Sequence, residues 1–210
     1  MLRGAARAEV RRAVALARRL SGTCILVAVD GGLGSCRACR LKPHLFVGDG
    51  DSSRRIPTDI ASVVYAADKD FSDFAGALVE VARRRVRVVV VAGLLGGRVD
   101  HEWANLFEVG SRAGGFAAIL APTARGTVLI TSHGCTAVTV PNRTVSLMIL
   151  GGSATVSLRG TRWELSRRRL RPGSRGLSNI TGAEIDLAVH AGVVALVFPA
   201  PAVSGVTAAG

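Results

Sequence analysis

A chain of 210 residues, 49% of them hydrophobic, can bury the core of one large domain or two small ones. Its longest apolar run, near Val86 to Leu95, has the length of a buried strand and is too short to span a bilayer, and no apolar stretch of signal-peptide length precedes Ser21, so the expectation is a cytoplasmic protein without a membrane segment. The net charge of +12 is nearly all arginine, with Lys42 and Lys69 the only lysines; spread along the chain and accompanied by only 4% aromatic residues, it argues against a nucleic-acid partner.

Residues Arg3 to Leu20 are Arg-rich and amphipathic. Glu9 and the strand that follows at once favour a surface helix over a targeting segment. Cys24 to Val29 reads as a strand. Cys36 and Cys39 form a single CxxC, half a zinc site without a second half, so ordinary thiols of a loop or helix are expected. Short strands follow at Leu45 to Val47 and Val63 to Ala66, then a helix over Phe74 to Arg85. Val86 to Ala92 is the least ambiguous strand, Asp100 to Ala113 the next helix, and Ala117 to Ala121 a last strand. This alternation predicts an α/β domain over residues 1–122 with a mainly parallel, buried sheet.

Beyond Pro122 the texture changes to short β-branched runs: Val128 to Thr131, Cys135 to Val140, Val145 to Leu150, Ala154 to Leu158 and Val193 to Phe198. They predict an antiparallel β domain, a sandwich or partial barrel, over residues 123–210. The last ten residues, Pro201 to Gly210, are small and uncharged and are expected to be disordered.

The chemistry is carried by the aspartates. Seven of the nine follow apolar runs of the first half: Asp30, Asp49, Asp51, Asp68, Asp70, Asp73 and Asp100. In a parallel sheet those strand ends share one edge, where open α/β folds bind ligands. Carboxylates gathered there repel one another unless a cation neutralises them, and an oxygen-only ligand set suits Mg²⁺. Gly31, Gly32, Gly48, Gly50, Gly93, Gly96 and Gly97 lie beside them and permit backbone N–H groups to approach an anion; Arg98 is placed to bind phosphate. A lone glycine is usually a turn and a lone Asp usually a helix cap, but four consecutive strand ends carrying both point to a polyphosphate ligand. Neither lysine is preceded by glycine, which excludes a P-loop.

Four segments, AVDGGL (Ala28 to Leu33), PHLFVGDGDS (Pro43 to Ser52), DKDFSDFAGAL (Asp68 to Leu78) and GLLGGRVDHEWANL (Gly93 to Leu106), resemble the ordered motif set of thiamin pyrophosphokinases. GTRWEL (Gly160 to Leu165), Leu170 and LSN (Leu177 to Asn179) are similar to that family's thiamin-site signature. The resemblance implies a homodimer with an N-terminal Rossmann-like α/β domain and a C-terminal β-sandwich, binding thiamin near the subunit interface and transferring pyrophosphate from ATP. It implies Mg²⁺ held by Asp49, Asp51 and Asp73, and an ATP side formed by Asp30, Gly31, Gly96, Gly97, Arg98 and Asp100. Lys69, Trp163, Ser178 and Asn179 would serve thiamin. Asp73 or Asp100 is the candidate general base, beside Asp49 and Asp51 as catalytic carboxylates. Gly50 departs from the bulky residue usual between the two aspartates of GD-x-DS, and Leu33 from a usual Ala or Asn.

His101 begins a helical pattern and reads as a capping or packing residue rather than a base. A Trp in a β domain is usually core; the family signature around Trp163 favours stacking instead. Competing readings are a pyrophosphokinase or kinase for another heterocyclic alcohol, a catalytically silent nucleotide or thiamin sensor, and a nucleic-acid-binding protein.

Overall fold

The structure, a computed structural model, describes residues 2, 4–51, 56, 58–199 and 203–208. Ser52 of the GDGDS segment and residues 200–202 and 209–210 of the tail lie outside them. The chain divides into two compact units, one formed by Met1–Val86 and Val90–Glu108, the other by Arg87–Val89 and Val109–Gly210. The division falls before the boundary expected near residue 122.

In the first unit three parallel strands, β1 (Val27–Val29), β2 (Leu45–Gly48) and β3 (Ala61–Val64), lie in the order β1-β2-β3. All four residues of β2 are buried, as the central strand of a covered parallel sheet requires. Phe46 packs with Ala28, Leu33, Cys36 and Ile60. Four helices complete the set: α1 (Arg7–Ser21), α2 (Gly32–Ala38), α3 (Asp73–Arg83) and α4 (Val99–Arg112). The Ser72 hydroxyl caps α3 by accepting from the Ala75 N–H at 3.1 Å, and Asp73 adds negative charge in its first turn. The apolar side of α1 places Val10 and Ala13 against Ala92, and its buried Glu9 accepts a hydrogen bond from the Gly93 N–H.

Three expectations shift. The first strand begins at Val27, because Cys24 and Ile25 are exposed and pair with nothing that would extend the ladder. GLGSCRA folds as α2, a helix too short and too glycine-rich to show a 3.6-residue period; Cys36 is buried in it, Cys39 caps it, and both are free thiols. The Val86 to Ala92 run forms only β4 (Val88–Val90), which sits at the edge of the larger sheet beside the next strand rather than in the parallel sheet. The Ala117 N–H donates to the Arg87 carbonyl at 2.8 Å and ties the run there.

The second unit carries β5 (Ala118–Thr123), β6 (Gly126–Thr131), β7 (Gly134–Thr139), β8 (Thr144–Thr161), β9 (Leu165–Leu170), β10 (Asn179–Pro199) and β11 (Val203–Ala208). With β4 they form one eight-stranded sheet in the order β11-β7-β10-β6-β5-β4, with β8 pairing β10 and β9. Neighbours β5–β6, β6–β10, β7–β10, β7–β11 and β8–β9 are antiparallel. Two long strands explain why the sheet is continuous. The first half of β10 bonds β7, its second half bonds β6, and β8 accompanies it along most of its length. Sequence alone splits β8 in two at Gly151-Gly152, yet the strand passes through them with Gly151 at φ 109°. It also leaves out β9, whose LSRRRL lacks apolar alternation. The tail expected to be disordered is β11 over Val203–Ala208, bonded to β7. Ile119, Leu120, Leu129, Ile130, Leu158, Ile185, Leu196 and Phe198 are the largest fully buried side chains of this unit among the described residues.

Candidate active site

The parallel sheet delivers its aspartates as strand-end geometry demands. Asp30 follows β1 in a left-handed conformation (φ 41°), with its N–H donated to Val47 of β2 at 2.9 Å. Asp49 and Asp51 follow β2, and carboxylate oxygens of Asp30, Asp49 and Asp51 lie within 4.8 Å of one another. The approach depends on Gly48: a Cβ there would come to 3.0 Å from the Asp30 Cβ and 3.1 Å from its Cα. Gly50 holds φ 82°, which side-chain-bearing residues rarely adopt, so glycine between the two aspartates suits this turn. The Asp51 N–H donates to Asp49 Oδ1 at 3.1 Å, closing the loop on itself.

Lys69 is the cation of this cluster. Its Nζ donates to Asp49 Oδ2 at 2.9 Å and lies 3.1 Å from Asp73 Oδ1. The three side chains are 10%, 13% and 19% exposed respectively, so the ion pairs are little weakened by solvent. The Lys69 hydrogen bond, aided by the Asp51 N–H, holds the Asp49 carboxyl below its ordinary range. Burial pushes Asp73 the other way, up, against the pull of Lys69. Burial alone would lower the Lys69 ammonium, but its bonds to Asp49 and Asp73 outweigh that and raise it. Three carboxylates packed this closely, with one lysine for company and only oxygen donors, fit a hard divalent cation. The grouping differs from the expected ligand set: Asp30 stands with Asp49 and Asp51, while Asp73 is joined to Asp49 through Lys69. Asp68 and Asp70 are exposed and outside the group.

The Gly93–Asp100 segment leads into α4. Gly96 and Gly97 turn their N–H groups onto one oxygen of Glu102, at 2.8 Å for Gly97. Glu102 went unrecognised in the sequence, although an acid near the start of a helix that reaches back to preceding amides is a familiar capping signal. Asp100 takes both its oxygens to Arg98, from Nε at 3.1 Å and from the second guanidinium nitrogen. That pairing lowers the Asp100 carboxyl. Gly31 follows Asp30 directly in the β1–α2 turn. His101 is exposed in the first turn of α4, which removes packing as its role.

Trp163 and Asn179 are joined in the second unit, and Ser178 precedes Asn179 in the chain. Asn179 is buried at the start of β10 and works as a clamp: its Oδ1 accepts from the Trp163 N–H at 3.0 Å and the Ile180 N–H at 2.8 Å. Its Nδ2 donates to the Trp163 carbonyl at 2.8 Å and to Thr161 Oγ1 at 3.0 Å. The Trp163 ring, held by its backbone in this way, is 57% exposed and is therefore not a core residue. The Arg162 guanidinium lies 5.5 Å from the ring centroid. Ser178 is exposed at φ 60°, its N–H donated to Ser146 Oγ at 3.1 Å. Thr161 as the partner of Asn179 had no signal in the sequence.

A three-strand parallel sheet presenting clustered carboxylates beside a glycine-containing turn and a lysine suits an enzyme of the phosphoryl-transfer class. Residues 16–112 match the family model described as thiamin pyrophosphokinase, catalytic domain. That segment, a little under half of the chain, carries the match to the family's catalytic domain and supports an enzyme of that type. Curated proteins offer no sequence match to it. Among solved structures it is similar to thiamine pyrophosphokinase from Bacillus subtilis, with a TM-score of 0.71 at 18% identity over 94% of this chain and 96% of that one. The enzyme from Geobacillus thermodenitrificans gives 0.68 at 18% identity over 95% of each chain. That from Candida albicans gives 0.63 at 13% identity over 86% of this chain and 84% of the other. At such identities the likeness speaks for the fold. No helix among the described residues is long and apolar enough to cross a membrane.

Proposed function

We propose that the chain transfers the pyrophosphoryl group of ATP to the hydroxyl of thiamin, giving thiamin diphosphate and AMP. The observation that carries this reading is the Asp30–Asp49–Asp51 group within 4.8 Å, with Lys69 bonded to Asp49, inside the family's catalytic region. Those three carboxylates would hold Mg²⁺, with Asp73 alongside through Lys69. When bound, the ion supplies neutralisation of the phosphate charge that the aspartates alone would repel.

The chain's own residues have separable tasks. Arg98 offers a fork of donors to a phosphate in exchange for Asp100. The Gly96 and Gly97 amides, now taken by Glu102, form a nest for a phosphate oxygen once that carboxylate moves away. Gly31, after Asp30, lets the chain pass close to the nucleotide. Trp163 offers an exposed ring for a heterocycle, kept in place by Asn179, and Ser178 would add a hydroxyl to the thiamin pocket. Lys69, placed by two carboxylates, holds the metal-binding group in register and would contact thiamin. The thiamin alcohol attacks the β-phosphorus in line, the α–β bridging bond breaks, and AMP departs; the alcohol's proton passes to a carboxylate. Asp73 is the better candidate acceptor, because burial pushes its carboxyl up and makes it the stronger base.

A cytoplasmic homodimer that shares the thiamin site between subunits belongs to the same reading, and sedimentation of the purified protein tests the dimer. The carboxylate assignment is tested by ATP binding measured calorimetrically with Mg²⁺ and with EDTA. Binding that needs the metal supports it; equal binding in EDTA removes the acidic group from the nucleotide site.

A further inference from the structure

We propose that the cavity between β9 and the turn at Ser174–Gly176 binds a small phosphate monoester without the help of a metal ion. The cavity measures 410 Å³ and is lined by Glu164, Leu165, Ser166, Arg168, Leu170 and Arg175. This size lies within the range of about 300–1,000 Å³ usual for small-molecule sites.

Its charge is unbalanced. From Arg159 to Arg175 the chain carries seven arginines and one acidic residue, Glu164. Glu164 is already engaged, since its Oε1 accepts the Gly160 N–H at 2.8 Å. Among the described residues, Arg168 and Arg175 have no acidic partner, unlike Arg83, Arg84 and Arg98, each of which is paired with a carboxylate. The neighbours of Arg168 on β9 are occupied elsewhere: Arg167 Nη1 lies 3.4 Å from His190 Nδ1, and Arg169 Nη2 donates to Ser153 Oγ at 3.4 Å. Arg167 interrupts the strand at φ 42°, where the pairing of β9 with β8 shifts register, and the cavity takes Arg168 together with Ser166 and Leu170.

Two guanidinium groups on one cavity match a dianionic phosphate, which each can bind through paired N–H donors, and the Ser166 hydroxyl adds a further donor. Leu165 and the buried Leu170 supply an apolar wall for the organic part of the ester. The electrostatics are the reverse of the acidic group at Asp30, Asp49 and Asp51, where an anion needs a cation between itself and the protein. A phosphoester therefore binds at β9 in the absence of divalent metal.

Calorimetric titration of the full chain with phenyl phosphate and with inorganic phosphate, both in EDTA at low ionic strength, tests this. Phenyl phosphate binds, and binds more tightly than inorganic phosphate; equal affinities overturn the ester as ligand, and no binding of either overturns the site. Arg168→Gln with Arg175→Gln weakens phenyl phosphate binding by about tenfold or more, whereas Arg167→Gln with Arg169→Gln, an equal loss of charge, changes it by no more than about twofold. Equal losses in the two pairs mean general attraction to a basic surface and overturn the proposal. Replacing Arg168 and Arg175 by Lys keeps the charge and loses the fork, so binding falls between those limits; full retention contradicts the paired-donor geometry.

Discussion

Asp30, Asp49 and Asp51 crowd like charges within 4.8 Å, whereas Trp163 and Asn179 gather neutral groups that already satisfy one another. The first arrangement has one lysine bonded to one of its three carboxylates and leaves negative charge that a further cation would neutralise. The second is complete as a fold and leaves only an aromatic face in water, 57% exposed. Burial and charge thus say different things about function in the two units. In the first, the functional groups are those whose repulsion the fold tolerates; in the second, the functional group is the one that the fold holds firmly but does not cover.

Substitutions sharpen that contrast. Asp49→Asn or Asp51→Asn removes a carboxylate from the crowded group and is expected to lower turnover about a hundredfold or more; Asp49→Asn also lowers the melting temperature, because Lys69 loses its charged partner. Turnover near the parent level would take these residues out of the metal site. At the other region the two members separate. Asn179→Ala leaves the Trp163 and Ile180 amides short of an acceptor and costs about 2–3 kcal/mol of stability together with thiamin affinity. Trp163→Ala, by contrast, raises the KM for thiamin about tenfold, leaves that for ATP alone and barely moves the melting temperature. Equal effects on both substrates would contradict a stacking role.

Two smaller effects probe groups held by glycine amides. Glu102→Gln weakens an internal competitor for the Gly96 and Gly97 N–H groups, so the KM for ATP should fall by about two- to fivefold; a rise would mean that Glu102 builds the nest rather than filling it. Glu9 is buried and its carboxyl is pushed up by desolvation, against the Gly93 hydrogen bond that lowers it. A raised folded value for an acid means that stability is lost as pH climbs from the unfolded value, about 4.3, through the folded one. Glu9→Gln should therefore melt slightly higher than the parent at neutral pH, with the gap closing below about pH 4. A gap that is unchanged by pH would dissociate Glu9 titration from stability.

The aspartates were legible because charge at the ends of apolar runs is a one-dimensional signal: Asp30, Asp49 and Asp51 each follow a strand that the pattern places correctly within a few residues. Which of them meet was not legible. Asp30 joins the pair from β2 because β1 and β2 are neighbours and Gly48 permits the contact, while Asp73 begins a helix and reaches the group through Lys69. Partners drawn from far along the chain, such as Thr161 for Asn179, depend on strand register. The fold of the first unit was legible to the same degree, except that α2 shows no helical period and that the runs of β4 and β5 belong to the larger sheet. In the second unit the short strands were found but their continuity was not. Gly151 and Gly152 carry the signature of a turn, and only the pairing of β8 along β10 keeps them extended. β9 is invisible to apolar periodicity because arginine fills its interior.

The most direct measurement is formation of AMP and thiamin diphosphate by the purified chain from ATP and thiamin, with Mg²⁺ and with EDTA. Both products in equal amounts, and only with the metal, are the expected result. Metal-dependent ATP binding without thiamin diphosphate, with another alcohol accepting the pyrophosphoryl group, would contradict the substrate assignment and leave the acidic site standing.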